Sequence, residues 1–161
     1  MITNQNIHQQ ELMDNKPINI GFSLSQITTE QFAIIEDNLV EPSEININMN
    51  FRFAADDEKK LVGVFVTFTF ESNKKQFIIV EAGCHFSIAP DSWENMMNHE
   101  TNELKVPKGF LQHMAVITVG TTRGILHAKT ENTCFNKYHL PTINVANIIK
   151  EDNVFTFKVE A

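Results

Sequence analysis

The sequence predicts an α+β fold built on an antiparallel sheet, and three observations carry that expectation. Apolar and polar residues alternate over Ile45 to Phe53 and again over Val62 to Phe70, the period-two signature of strands with one buried face. Within Lys108 to Lys129, Phe110, Met114, Ile117 and Thr121 recur at spacings of four, three and four, a helical period. The 161 residues, 42% hydrophobic and 20% charged, are globular in composition and fit one domain.

Taken in order, Met1 to Lys16 is rich in Asn, Gln, His and Glu and reads as a disordered leader closed by Pro17, so the single domain is expected over 17–161. Ile18, Ile20, Phe22 and Leu24 alternate with Asn19, Gly21 and Ser23 and predict an edge strand. Ser25 to Ser43 is irregular: Phe32, Ile34, Ile35 and Leu39 suit a short strand or a turn of helix, and Pro42 ends it. Next, Ile45, Ile47, Met49, Phe51 and Phe53 share one strand face and Asn46, Asn48, Asn50 and Arg52 the other. The charged run Asp56 to Lys60 makes a solvated turn into a second strand ending at Glu71. Ser72, Asn73 and Lys74 turn the chain again into Phe77, Ile78, Ile79 and Val80, which are apolar on both faces. A small single-layer sheet has helices for one face only, so this strand predicts cover from a partner subunit.

Pro90, Asp91 and Ser92 open a short helical stretch bearing Trp93, Met96 and Met97. Leu104, Val106 and Pro107 lead into Lys108 to Lys129, where two signals conflict. Period says helix with Pro107 in its first turn, while the β-branched run Val116 to Thr122 has strand propensity. Thr130 to His139 reads as a loop, Asn144 as the cap of a short helix Val145 to Lys150, and Val154 to Glu160 as a closing strand or ordered tail.

Several functional classes are disfavoured. A net charge of −7 without a local basic patch argues against nucleic acid and anionic membrane as partners. The start lacks a secretory pattern, no stretch is long enough to span a bilayer, and the expected location is the cytoplasm. Cys84 and Cys134 fit two reduced, inert, buried thiols. Six histidines show no ligand spacing; His113 and His127 share a helix face but stand about 21 Å apart along it. With no nucleophile elbow, phosphate loop or paired carboxylates, the reading is non-enzymatic, with no catalytic residue, metal or cofactor. Trp93, Met96 and Met97 lie among polar residues and suit either a flap on the core or an adaptable apolar wall for a varied ligand. The thirteen Phe, against one Trp and one Tyr, bring apolar area without a polar handle to core and ligand surface alike.

One ordered set of markers resembles a known family. A Phe-rich strand running into Gly83, Cys84, His85, Phe86, Ser87, Ile88 and Ala89, a Pro107 ahead of a long helix, an Arg123–Gly124 pair and the segment Leu140 to Val145 together resemble the SecB export chaperones, over Ile45 to Ile149. The resemblance implies a sheet of about four main strands packed with one long and one short C-terminal helix, with Lys108 to Thr122 helical and the helix ending near Arg123. It implies a homo-tetramer, a dimer of dimers, with Phe77, Ile79, Ile117, Thr118 and Thr121 at the interface. It further implies a holdase that binds unfolded or preprotein polypeptide through apolar grooves, here Trp93, Met96, Met97, Leu104, Phe110, Met114, Phe135, Tyr138 and Leu140. Its partners would be the motor SecA or an antitoxin. Phe77 and Ile79, standing where the family offers polar groups to SecA, argue against the former. An insertion around Thr130 to His139, an extended N-terminal part and the Phe155 to Val159 segment also depart from the family. Two other readings stand beside it: a small-molecule or enzymatic pocket between sheet and helix using His85 and His113, and an adaptor for one folded partner.

Overall fold

The computed structural model describes residues 19–159, so the expected leader, Pro17, Ile18 and Glu160 lie outside the described residues. The fold is α+β. Four strands, β1 (Phe22–Ile34), β2 (Ile45–Asp56), β3 (Leu61–Ser72) and β4 (Lys75–Ile88), form an antiparallel sheet in the order β1-β4-β3-β2. Strands two to four are a meander and β1 returns beside β4, a Greek key. A short helix α1 (Pro90–Met96), the two-residue β5 (Met97–Asn98) and β6 (Glu103–Val106) lead to the long helix α2 (Lys108–Thr130). The C-terminal β7 (Asn153–Thr156) pairs with β6 to complete a three-stranded sheet.

The predicted alternation of β2 and β3 turns into packing through the register. Val62, Val64, Val66, Phe68 and Phe70 stand opposite Phe86, Cys84, Ala82, Val80 and Ile78 on one side and Ala55, Phe53, Phe51, Met49 and Ile47 on the other. These rows make one apolar face, and α2 lies on it. Phe110, Leu111, Met114 and Ala115 pack with Val62, Val64, Cys84, Phe86 and Trp93, while Val119 and Leu126 pack with Val66, Phe68, Phe70, Ile78 and Val80. The turn at Asn73 and Lys74, both with positive φ, is the tight hairpin connection whose twist suits antiparallel strands.

In α2 the helical period wins over the β-branched run, and the hydroxyls explain how. Thr118 and Thr122 are fully buried against the sheet, yet each Oγ1 donates to the carbonyl four residues back, Met114 O at 2.9 Å and Thr118 O at 2.8 Å. Among the described residues no buried hydroxyl is left unpaired. The first turn is completed from outside the helix, because Lys108 N donates to Asp152 Oδ1 at 2.8 Å. Two expectations are corrected here. The helix runs on through Arg123 and Gly124 to Thr130, its face still apolar at Leu126, and Arg123 bonds the carbonyls of Leu140 and Pro141 instead of ending it. The short helix Val145 to Lys150 is only a 3-10 turn, Val145–Asn147, and Asn144, expected as its cap, makes no side-chain cap bond.

The two-faced apolar run of β4 also has a local cause. A bulge interrupts the β3–β4 register between Phe70 and Glu71, so Phe77 and Ile78 together occupy the space opposite Phe70. Phe77 is fully buried among Phe70 and Tyr138 of its own chain, with ring centroids at 6.2 and 5.0 Å. The partner-subunit cover inferred from Phe77 is therefore not needed there; only Ile79, half-buried, lies on the outer face.

That outer face is polar around one aromatic platform. Phe65 lies across Gly63 and Gly83, where an added Cβ would meet its ring at 2.9 and 2.7 Å, and Arg52 stacks above it with Cζ 3.9 Å from the ring centroid. Arg52 also pairs with Glu81 at 3.3 Å, and the His85 ring stands edge-on to Phe65 at 5.3 Å. We expect Gly83→Val to destabilise the protein by about 1–3 kcal/mol through overpacking against the Phe65 ring and Thr28 Oγ1, each 2.7 Å from an added Cβ, and Phe65→Ala to relieve the part due to the ring. Urea melts of the two single variants and the double variant check this, and additive losses would mean that the ring is not the obstacle.

Candidate functional site

One helix does not cover this sheet. A helix with its side chains is about 10–12 Å across and strands are about 4.8 Å apart, so α2 sits over the central β3 and β4. The outer strands are left to other cover. On the β2 side the segment 141–153 provides it in part: Ile143, Val145 and Ile149 pack into the core, and Gln112 Nε2 holds Ile149 O at 2.7 Å. This irregular segment does not seal the gap. Three open depressions follow it, of about 740 Å³ between Gly109, His113, Val116 and Thr142 to Ala146, about 440 Å³ between Met49, Phe51, Phe53, Leu111 and Ile148 to Asn153, and about 430 Å³ between Met96, Met97, Lys105, Pro107 and Asp152. Phe51 and Phe53, stacked with centroids 6.4 Å apart, are half-buried there, and Ile47 and Ile148 stay 37% and 46% exposed.

The residues expected to line a client wall mostly stand behind this surface. Trp93, Leu104 and Met114 are fully buried, and Met96, Phe110, Phe135 and Leu140 are under a tenth exposed, all packed within the chain's own core. Of the nine, Met97 and Tyr138 keep partial exposure, and Met96 and Met97 border the third depression. Trp93 serves as an anchor: its Nε1 donates to Asp57 Oδ1 at 2.9 Å and Lys60 Nζ reaches the same oxygen at 2.8 Å, tying α1 to the β2–β3 turn. The Lys60 hydrogen bond, with that of Trp93, holds the Asp57 carboxyl below the ordinary aspartate range against its partial burial. Among the expected interface residues, Phe77 and Thr118 are fully enclosed and have no surface to give, whereas Ile79, Ile117 and Thr121 are half-buried. The apolar row Met49, Phe51 and Phe53 was visible as a strand face; what the sequence did not reveal was that β2 is an edge strand beyond the reach of α2.

His85 and His113 do not share a pocket. His85 lies on the outer face of the sheet beside Phe65 and Thr28, whose Oγ1 is 3.3 Å from His85 Nε2. His113 is exposed on α2, its ring 5.7 Å from Phe22. The sheet separates them, which corrects the expectation of a joint site between sheet and helix. Among the described residues no group of three or more His, Cys, Asp or Glu side chains is placed to hold a metal ion. Cys84 is buried as expected, and Cys134 is exposed.

No protein-family model and no curated protein matches this chain. Among solved structures, a protein of unknown function from Streptococcus agalactiae is similar over 78% of this chain and 98% of its own, with a TM-score of 0.36 and 13% sequence identity. Among the described residues no helix is long and apolar enough to cross a membrane.

The far end of the core is closed by an exposed clasp. Segment 131–140 carries Phe135 and Leu140 into the core, and Glu41 Oε1 accepts from Lys137 Nζ and from Tyr138 OH at 2.9 Å. The Lys137 hydrogen bond, then that of Tyr138, holds the Glu41 carboxyl below its usual range, and the same hydrogen bond raises Lys137; Tyr138 is raised mainly by burial. A carboxyl depressed in the folded state stabilises it above its unfolded pKa, and that contribution is lost as pH falls through the lowered value. The clasp should therefore loosen on the acid side of the ordinary carboxylate range. Hydrogen exchange of 131–140 should rise there in the native chain, with Glu41→Gln already raised at neutral pH; equal protection in both chains would remove the clasp as the cause.

Proposed function

We propose that this protein is a non-enzymatic holdase of SecB-like type, which binds non-native polypeptide in extended form. One observation carries the reading: the string of open, partly apolar depressions along segment 141–153, which suits a chain better than a compact ligand. Each depression combines apolar side chains with a few polar groups, and none is closed around a reaction centre. Many weak apolar contacts spread over such a length give useful affinity at about 25 cal/mol per Å² before ordering costs. Holding of this kind calls for no nucleotide or metal. The cytoplasm is the proposed location, and an antitoxin or another dedicated client fits better than SecA.

The reading includes self-association. The outward side of α2 carries Gly109, His113, Val116, Gly120, Gly124, His127 and Ala128, with exposed Lys108 and Lys129 at its two ends and without a carboxylate on a helix of 23 residues in a chain of net charge −7. A solvated helix face is ordinarily charged. Val116 is 56% exposed, and Phe22, Leu24 and Ile27 on β1 are 36%, 43% and 50% exposed on the same side of the sheet. A second copy facing α2 and β1 covers both. We expect a mass near four times 18.4 kDa by light scattering, and Val116→Glu to reduce it to dimer or monomer; a native monomer would overturn the oligomeric part of the proposal.

The holding activity is tested at exposed positions, so that the fold is spared. Purified protein should suppress aggregation of a chemically unfolded client, and Ile47→Glu with Ile148→Glu should raise the amount needed several-fold while leaving the melting temperature within a few degrees. Unchanged suppression would remove the β2 side from the binding surface.

A further inference from the structure

The sheet ends in two edges of different character. β2 pairs only with β3, and among the described residues nothing pairs with its outer edge. Its twelve register pairs with β3 run from Ile45 to Asp56 without a bulge, and it contains no proline or lysine. From Ile45 to Ala55 the sole charge is Arg52, which Glu81 and the Phe65 ring already engage on the outer face. Edge strands are ordinarily blunted by lysine, proline or bulges, so this one keeps a straight row of backbone donors and acceptors. Beside that row lie the apolar side chains Met49, Phe51 and Phe53 and the 440 Å³ depression, and on its other face stand the exposed Asn46, Asn48 and Asn50.

We infer that the β2 edge is a strand-addition site, at which non-native polypeptide pairs antiparallel with Ile45–Phe53 as a fifth strand. The inference rests on the holdase reading and specifies its mode of binding. Side chains of an added strand alternate between faces. The segment recognised therefore carries apolar residues at every second position, toward Met49, Phe51 and Phe53, and small polar residues between them, over the asparagine row.

Charge selects this occupant over a second copy. Antiparallel pairing of β2 with a second copy about Asn50, the register that keeps both apolar rows on one face, sets Glu44 of one copy opposite Asp56 of the other at both ends, and like charges opposed across strands are unfavourable. The same pairing of β1 with itself opposes no charges, since Glu30 is its one charged residue. Lys59 pairs with Asp56 and Lys105 with Asp152, and Lys150 stands beside Glu151 on the wall of the depression, which among the described residues leaves Glu44 and Glu151 as acids without an ion pair near β2; they fit a segment that has no acid of its own and a lysine or arginine beyond each end of the apolar stretch.

The experiment uses the full chain and a fluorescein-labelled nonapeptide of alternating apolar and Ser/Thr residues with a lysine at each end, followed by anisotropy. Only every second residue of an added strand directs its backbone groups to β2. N-methylation of the alternate amides of one parity should therefore weaken binding at least tenfold, and of the other parity less than threefold. An isomer with its apolar residues grouped should also bind at least tenfold more weakly. Equal binding of both methylated peptides would overturn strand addition while leaving the holdase reading intact. Failure to hold either the parent peptide or an unfolded client would overturn both.

Discussion

The width of a single helix against the width of a four-stranded sheet is the constraint on which the rest of this structure depends. The apolar face formed by the rows from Phe22 to Ile34, Ile45 to Ala55, Val62 to Phe70 and Ile78 to Ile88 is wider than α2. The helix takes the middle, where the core is tightest and Val62, Val64, Val66, Phe68 and Phe70 are almost fully enclosed. Everything else on that side is a partial answer to the shortfall: α1 and the small sheet over one end, segment 131–140 over the other, segment 141–153 along β2. The candidate site is the part of the problem left open.

Apart from α1 and the small sheet, the partial answers are held by side chains rather than by regular structure, and this decides where the molecule is rigid. Asp57 fixes Trp93, Asp152 fixes the start of α2, Ser72 ties Val40 and Ser43 across the end of the β3–β4 hairpin, and Glu41 clasps Lys137 and Tyr138. Two of the carboxylates, Asp57 and Glu41, are stabilised in their charged form by these contacts. An exposed clasp of this kind contributes little to global stability. Its effect is on which cover opens first.

How much was legible in the sequence follows from where parity is kept. β2 and β3 were readable because their pairs run nearly without interruption. β1 was lost after Leu24 because two register shifts, which leave Ser25 and Glu30 as extra residues, break the alternation; without those two, Phe22, Leu24, Ile27, Thr29, Phe32 and Ile34 fall on one face. The same device at Phe77 made one buried face look like two. The period of α2 was legible but stood unsettled against propensity, since threonine hydroxyls bonding back along the helix leave no trace in a propensity scale, and its extent beyond Arg123 was missed. Trp93 and Met114 were expected on a client wall and are buried in the chain's own core, because burial by self and burial by ligand have one pattern in sequence. The site was legible only as a strand face, because which strands α2 leaves uncovered is set by the Greek-key order, a long-range property.

The bond from Asp152 to the first turn of α2 bears on how the chain comes into being. During synthesis the four strands emerge first, within residues 22–88, and their broad apolar face waits for the helix that follows. The partner that completes the start of that helix is made 44 positions after it. Translation thus passes through a stage in which the nascent sheet is finished while its cover is still incomplete. The pace at which residues 108–152 are made then bears directly on how long the face stays open to other chains.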